Sequence, residues 1–341
     1  MKEIEQINYT QIIYFVVIVF FLFLVTYTAT LIYPISCSDD ETLLRIKEGS
    51  TGSMLANNLH DLGCIDSPSI LKISLKLGRK STSIKTGRYS MKGISTVGEL
   101  IGMVTNTSKN RVRVTFIEGW EIDKYASVLE KKMGIDKERF LYLCRDHNFI
   151  NSLGLNAPTL NSLEGFLYPD TYIFLDSYIE EDIIRVMVNQ FKYIYDNFIY
   201  KRDVPNGLNM YESVVMASII QGEAYISDEM PKISSVYHNR LKKNMLLQAD
   251  PTIQYIIPGP NIRLYNKHLR IKSKYNTYKY KGLPPGPINN PGFSALAASV
   301  NPISTTFLYF VADGTGRHVF TRTNRDHVRE KERIKRQRRR K

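Results

Sequence analysis

Cysteine and tryptophan are scarce in this chain of 341 residues, which has three Cys and one Trp. Cys37, Cys64 and Cys144 are odd in number and widely spaced, which predicts neither a disulfide framework nor a zinc cluster. At least one thiol must stay free in a monomer, so cysteine usage does not identify the redox compartment. There is no large low-complexity tract, and a hydrophobic content of 43% is normal for a protein that buries a core.

Several common catalytic signatures are also missing. The chain contains no HExxH, no GxSxG, no P-loop and no dinucleotide-binding fingerprint. Its six His are scattered without the spacing of metal ligands. These absences argue against a metalloenzyme, a serine hydrolase of the usual type and an NTPase, so we expect neither a metal nor a cofactor.

Positive charge is concentrated at one end of the chain. The net charge is +13, and residues 329–341 hold nine Lys/Arg and two Glu, a net +7. Such a run predicts a solvated, disordered tail. The alternative is attraction to phosphate in lipid headgroups or nucleic acid. We expect no nucleic-acid partner.

One long apolar segment indicates a membrane anchor. Residues 12–33 contain no charged side chain, and 22 residues of helix span about 30 Å, the thickness of a bilayer core. A cleaved signal peptide would have a shorter apolar core and a small-residue cleavage site, so a permanent transmembrane helix is favoured. Lys2 places residues 1–11 in the cytoplasm by positive-inside counting, with the remaining chain outside the cytoplasm at a bacterial inner (plasma) membrane.

The rest of the chain reads as α+β in two parts. Residues 40–106 predict a small α/β domain of strand, helix, helix, strand and helix. Residues 111–328 predict a larger α+β domain, which begins with the alternating strand RVRVTFIEGW. Predicted helices follow at 122–133, 136–147, 178–200, 210–224, 229–243 and 293–300. A long structured loop is expected at 249–292, and two strands, TFLYFVAD and HVFTR, are expected near the end.

Glu223 is the strongest candidate for a catalytic group. Met216, Ile219, Ile220 and Glu223 follow the i, i+3, i+4, i+7 spacing, so Glu223 extends an apolar stripe of a helix. Partial desolvation there would raise the pKa of the carboxyl and keep it protonated, as a general acid requires. From spacing alone, a solvated Glu at the end of the stripe is the commoner outcome.

Other segments carry weaker signals for a sugar-binding groove. Glu164 and Asp170 lie among aromatic residues in LEGFLYPDTYIF, which also fits a simple Pro-Asp turn. The segments YNTY at 275–278 and GLPPGPINNPG at 282–292 could line a groove or form a rigid loop. A second catalytic carboxylate stays open among Asp228, Glu229 and Asp250.

Taken together, the motifs resemble the YceG-like family of endolytic murein transglycosylases. The stretches that carry the resemblance run in order from the anchor to about residue 328, and they are IKEGS, IKTGRYSM, IEGW, LEGFLYPDTY, MASIIQGEA, SSVYHNRLKKNMLLQADPTIQY, YNTYKYKGLPPGPINNPG and LYFVADGTGRHVFT. The resemblance implies that the small domain is LysM-like and that the larger one is catalytic.

The same resemblance implies a chemistry and a set of site residues. The family cleaves the bond between N-acetylmuramic acid and N-acetylglucosamine within peptidoglycan glycan strands and leaves a 1,6-anhydro end. It trims or terminates strands beside peptidoglycan synthases. Its catalytic Glu falls on Glu223, and its motifs predict substrate contacts at Gln221, Glu164, Asp170, Gln248, Asp250, Tyr275, Asn276 and Tyr278.

The chain departs from the family motif directly beside this Glu. Gln221 and Gly222 stand where the family usually has Glu and Lys, which affects the expected pKa of Glu223 and the fit of the strand. Two other functions stay open at this point, a lysozyme-like hydrolase that uses a second carboxylate and a non-catalytic wall-binding scaffold. The tail 329–341 lies beyond the family pattern.

Overall fold

The computed structural model describes residues 9–37, 42–47, 49–106, 111–155, 160–200, 203–224 and 226–340. The chain is a mixed α+β protein with an apolar helix near its N-terminus. It divides into two compact units. The smaller unit comprises the chain up to Val112 together with Phe174–Ile179, and the larger comprises Arg113–Ile173 and Glu180–Lys341.

Helix α1 spans Tyr9–Leu31 and carries the apolar segment. Its stretch Gln11–Leu31 is long and apolar enough to cross a membrane, with a mean hydropathy of 2.6. The helix ends two residues before the predicted limit of 33. Beyond the helix the backbone hydrogen-bonds to another part of the unit, because the carbonyl of Tyr33 accepts from the N–H of Val97 at 3.0 Å.

The smaller unit follows the predicted order of elements. These are β1 (Leu43–Ile46), α2 (Gly52–Asp61), α3 (Pro68–Leu77), β2 (Gly87–Ser90) and α4 (Val97–Thr105). The two strands pair antiparallel, with Leu44 opposite Tyr89. Thr96 begins α4 with a capping box in which its side chain accepts from the N–H of Glu99, and the Glu99 carboxylate accepts in return.

Cys37 and Cys64 form a disulfide within this unit, and Cys144 is free and buried. The prediction that cysteine spacing implied no disulfide framework therefore missed one cross-link. The pairing depends on a tertiary contact, because the N–H of Ser36 donates to the carbonyl of Cys64 and aligns the two segments. A separation of 27 residues along the chain carries no sign of that contact.

The first half of the larger unit differs from prediction at two places. The helix expected at 136–147 is two helices, because Asp146 interrupts it and caps the second by accepting from the N–H of Asn148. A strand that was not predicted pairs with the first strand of this region. The observed elements are β3 (Arg111–Thr115), α5 (Ile122–Met133), α6 (Lys137–Leu143), α7 (His147–Ser152), β4 (Thr171–Leu175) and α8 (Glu180–Ile194).

The second half of the larger unit is built around one buried helix, α9 (Met210–Glu223). The sequence predicts a helix with a single apolar stripe. Instead, Ser213–Ile220 are all buried, so α9 is a central helix surrounded by the rest of the unit. The other elements are α10 (Met230–Lys242), α11 (Asp250–Tyr255), α12 (Phe293–Val300), β5 (Tyr309–Ala312), β6 (His318–Thr321) and α13 (Asn324–Arg340).

The basic C-terminal segment is a helix and not the predicted disordered tail. Helix α13 buries Ile334 to 4% exposure, and the guanidinium of Arg338 donates to the carbonyl of Ala312 at 3.2 Å. Arg, Lys, Glu and Gln are strong helix formers, so a run rich in them folds once one apolar residue can dock. The domain limit predicted at residue 328 falls inside this helix.

Candidate active site

Glu223 is the last residue of α9, and its side chain is half-buried at the floor of a cleft. The hydroxyl of Tyr237, on α10, donates to Glu223 Oε1 at 2.8 Å. Tyr237 is itself 1% exposed, so this hydrogen bond holds the carboxyl from the side of the core. The other side of the carboxyl faces the cleft.

The surroundings of Glu223 hold its proton more firmly than water would. Burial raises the pKa of Glu223 to about 7, and the negative charge of Asp250 acts in the same direction. The hydrogen bond from Tyr237 and the positive charge of Arg240 lower the pKa and oppose this shift. The carboxyl can therefore both donate and accept a proton near neutral pH.

The cleft extends to both sides of Glu223 as two lobes. We name the first the basic lobe, because its cavity of about 420 Å³ is lined by Arg240 of α10 and by His327 and Lys331 of α13. We name the second the acidic lobe, because its cavity of about 430 Å³ is lined by Glu121 and neutral polar side chains. Both lobes share four lining residues, Glu223, Asp250, Ala312 and His318.

Three of the predicted substrate-contacting residues line this cleft with Glu223. Asp250 lies in both lobes, and Gln248 and Tyr278 lie in the basic lobe. The hydroxyl of Tyr278 donates to Asp250 Oδ1 and fixes that carboxylate at the start of α11. Gln248 adopts a left-handed backbone with φ +50°, a conformation that costs energy for a residue other than Gly.

Gln221 and Glu164 act on the cleft walls through hydrogen bonds. Gln221 Oε1 accepts from the N–H of Gly292 at 3.0 Å. Glu164 is 6% exposed, and its carboxyl accepts from the N–H of Ile122 at 3.3 Å and from Asn290 Nδ2 at 2.9 Å. This places Glu164 behind the acidic lobe, in a position that supports the wall.

The remaining three predicted contacts have their side chains engaged elsewhere. Asp170 accepts from the N–H of Thr171 in a turn at the start of β4. Asn276 is fully buried and donates to two backbone carbonyls of the preceding loop. The ring of Tyr275 packs on Tyr255 at 5.1 Å between centroids, and Tyr255 lines the acidic lobe. None of the three lines either lobe in the part of the chain that the structure describes.

Several residues of the cleft were not predicted from the sequence. Tyr237 and Arg240 stand three apart on α10 and both point toward Glu223, a spacing that a helical reading of SSVYHNRLKK could have shown. His318 of β6 lines both lobes, and its Nδ1 lies 2.9 Å from Oε2 of the buried Glu229. That pair joins β6 to the residue just before α10, a contact that no local pattern reveals.

Gly222 lets another helix approach Glu223 closely. A Cβ at residue 222 would lie 2.6 Å from the Cβ of Pro251, closer than side chains approach one another. Because Pro251 follows Asp250 in α11, this approach sets how near Asp250 comes to Glu223. Gly222, where the motif usually has Lys, is therefore the residue that fits the space left by Pro251 in this chain.

We expect Gly222→Ala to lower stability despite the better helix propensity of Ala. Propensity alone would favour Ala by about 1 kcal/mol, whereas overpacking against Pro251 costs about 1–3 kcal/mol. The shift of α11 should also reduce kcat/KM by about tenfold. Thermal unfolding and activity assays measure the two effects.

Gly102→Ala is the matched control, since Gly102 lies in α4 with open space at its Cβ position. It should stabilise the protein by about 0.5–1 kcal/mol and leave activity unchanged. If Gly222→Ala stabilised the protein to the same extent, the packing argument at residue 222 would be wrong.

The site defines a class of enzyme. Glu223, a carboxyl with a raised pKa, lines both lobes of the cleft, so a substrate bound beside it can extend into each lobe. This arrangement is typical of general acid catalysis on an extended chain of sugars. Among the described residues, no group of three or more His, Cys, Asp or Glu is placed to hold a metal ion.

The comparisons with known proteins agree with that class. The YceG-like family profile matches residues 44–333, and the chain belongs to this family. The chain is 32% identical over 321 residues to an endolytic murein transglycosylase of Bacillus subtilis, covering 90% of this chain and 88% of the relative. It is 29% identical to an endolytic murein transglycosylase of Streptococcus pneumoniae, covering 83% of this chain and 56% of that relative.

A solved structure shares the architecture. The crystal structure of a yceG-like protein from Listeria monocytogenes, at 2.6 Å resolution, matches with a TM-score of 0.57 and 28% sequence identity. The match covers 84% of this chain and 98% of that one. The α+β architecture of this chain is therefore also found in the Listeria protein.

Proposed function

We propose that this protein is an endolytic murein transglycosylase that cleaves the bond between N-acetylmuramic acid and N-acetylglucosamine inside glycan strands. The observation that carries the proposal is Glu223, a carboxyl with a pKa of about 7 that lines both lobes of a cleft. A cleft with two lobes accepts sugars on both sides of the scissile bond, as cutting within a strand requires.

One carboxyl is sufficient for the reaction. Protonated Glu223 donates its proton to the glycosidic oxygen as the bond from that oxygen to the anomeric carbon of the muramic residue breaks. The resulting carboxylate then takes the proton from the C6 hydroxyl of the same sugar, whose oxygen attacks the anomeric carbon. Glu223 is protonated again at the end, and the intramolecular attack forms the 1,6-anhydro ring without water.

Product analysis tests this proposal. The full chain in detergent is incubated with purified cell wall, and the soluble fragments are separated and weighed by mass spectrometry. We expect fragments of several disaccharides that end in 1,6-anhydromuramic acid, each one water lighter than the hydrolysis product. Fragments with ordinary reducing ends, or no fragments, would contradict the proposal.

A lysozyme-like hydrolase is the second candidate, because Asp250 lies in the cleft beside Glu223 and raises its pKa. A hydrolase needs this second carboxylate to activate water or stabilise the sugar cation. Asp250→Asn should therefore abolish a hydrolase, whereas we expect it to cost the transglycosylase less than about tenfold in kcat.

The hydroxyl of Tyr237 should set the pH range of activity. Because its hydrogen bond lowers the pKa of Glu223, Tyr237→Phe should raise that pKa. The charged neighbours Asp250 and Arg240 stay in place in this variant. In the free enzyme Glu223 must be protonated, so kcat/KM falls as the pH rises through the pKa of Glu223. In Tyr237→Phe the midpoint of that fall should lie about 1 pH unit higher than in the wild type.

Tyr309→Phe is the control, since Tyr309 lines the basic lobe but is not among the groups that shift the pKa of Glu223. Its midpoint should stay with the wild type. A downward shift for Tyr237→Phe would show that the hydrogen bond does not favour the carboxylate.

The smaller unit and the anchor complete the proposed function. The order β1–α2–α3–β2 with an antiparallel strand pair supports a LysM-like unit that holds glycan near the enzyme. Helix α1 supports single-pass anchoring in the inner membrane, and Lys2 favours a cytoplasmic N-terminus. The Cys37–Cys64 disulfide is consistent with an extracytoplasmic, oxidising location. An enzyme that trims or terminates new glycan strands at the membrane would work beside peptidoglycan synthases, which are therefore its proposed partners.

A further inference from the structure

The two lobes of the cleft differ in charge, because Arg240 of α10 and Lys331 of α13 line the basic lobe and not the acidic lobe. Asn324, His327 and Lys331 follow the spacing i, i+3, i+7, so one face of α13 borders the basic lobe. No comparable cation lines the acidic lobe within the described residues, where Glu121 adds a negative charge instead. The cleft is therefore electrostatically polar along its length.

Helix α13 is held in this orientation by contacts on the same face. Ile334 is buried, Arg338 donates to the carbonyl of Ala312 on β5, and the ring of His327 stacks on Tyr309 at 5.5 Å between centroids. The face that carries Lys331 is thereby fixed toward β5. The helix is a wall of the cleft and not a loosely attached charged segment.

Within the described residues, Arg240 and Lys331 of the basic lobe form no ion pair. On α13, Arg329 pairs with Asp326 and Arg333 pairs with Glu330. By contrast, no carboxylate among the described residues lies within 4 Å of the charged nitrogens of Lys331 or Arg240. The guanidinium of Arg240 donates to backbone carbonyls only, those of Leu246, Leu247 and Leu308.

We propose that the basic lobe binds a carboxylate of the peptide stem on the muramic residue, with Lys331 as its direct contact. This inference rests on the proposed function, since it assigns a part of the same substrate to one side of the same cleft. Glucosamine residues are neutral, and in a glycan strand the anionic groups belong to the peptides on muramic acid. The enzyme then prefers strands that still carry peptides.

The test compares two substrates and matched charge reversals in the full chain. One substrate is purified wall glycan with intact peptides, freed of phosphodiester-linked polymers so that carboxylates are the remaining anions. The other is the same glycan after an amidase has hydrolysed the bond between peptide and lactyl group, which removes the peptide carboxylates and leaves one lactyl carboxylate on each muramic residue. Lys331→Glu is compared with Arg336→Glu, an equal charge change on α13 at a residue that does not line the cleft.

We expect Lys331→Glu to lower kcat/KM on the peptide-bearing strands on the order of tenfold, mainly through KM, and to leave the stripped strands within about twofold. Arg336→Glu should match the wild type on both substrates. Lys331→Arg should retain the preference for peptide-bearing strands, which separates loss of charge from loss of folding.

Two results would overturn the inference. An equal loss on both substrates would make Lys331 a structural residue or a contact to the sugar or its lactyl group, and no loss on either would show that the basic lobe does not bind the peptide. Failure of the proposed function looks different, because the wild type would then release no anhydro-ended fragments from either substrate.

Discussion

Glu223→Gln should lower the release of anhydro-ended fragments on the order of 10³-fold, the amount that general acid catalysis by a positioned side chain contributes. Gln has the same shape, and the hydroxyl of Tyr237 can still donate to the oxygen at Oε1. The amide carries no transferable proton, so the leaving oxygen departs without protonation. The rate of fragment release from purified wall measures the loss.

The folded state of that variant should stay intact. A buried carboxyl with a pKa raised to about 7 destabilises the fold when it ionises, and an amide removes this cost. The melting temperature of Glu223→Gln should therefore equal or exceed that of the wild type above pH 7. Asp228→Asn, an exposed carboxylate change five residues along the chain, should be active at the normal rate. Normal activity of Glu223→Gln would remove Glu223 from the mechanism.

Glu164→Ala should lower the free energy of unfolding by about 3 kcal/mol, a drop in melting temperature of roughly 10 °C. The substitution leaves Asn290 Nδ2 and the N–H of Ile122 without their acceptor in a buried place. Asn290 also donates to the carbonyl of Trp120, so the two loops that border the acidic lobe lose a shared support. Thermal unfolding at fixed pH measures the effect.

Glu164→Gln separates the hydrogen bonds from the charge. Burial raises the pKa of Glu164 to about 8 in the folded state, above its ordinary value of 4.5. The folded state then holds a proton that the unfolded chain has lost, so stability falls as pH rises from about 4.5 to about 8. Glu164→Gln has no such proton, and the stability difference between wild type and this variant should shift in favour of the variant across that range. A difference that is independent of pH would mean that Glu164 is ionised in the fold.

Local patterns were sufficient for much of the fold, because the elements of the smaller unit and α5, α10 and α12 begin and end close to capping or turn residues. They failed where a tertiary contact decides the structure. Helix α13 folds because Ile334 finds a place to dock, which a charge count cannot show. Strand β4 lies in a turn-rich, aromatic stretch and forms because its partner β3 is available.

The candidate site shows the same division. Glu223 was identified because ordered motifs of the family meet at it, although helical spacing alone favoured a solvated Glu. The groups that tune its pKa, Tyr237 and Asp250, come from other helices and are known as its neighbours only from the fold. Glu164 is predicted to contact substrate because it lies among aromatic residues. Those residues are largely buried, and the carboxyl accepts from the N–H of Ile122 and from Asn290, which only the fold brings near it.

The most direct measurement of the central claim follows the oxygen at the new chain end. Wall digestion by the full chain in water labelled with oxygen-18 should give anhydro-ended fragments without label. In the proposed mechanism the C6 hydroxyl oxygen of the same sugar attacks the anomeric carbon, and Glu223 takes the proton of that hydroxyl. The parallel digestion by a lysozyme supplies the labelled standard. Oxygen-18 at the reducing end of the fragments would show that water is the nucleophile and would contradict the account.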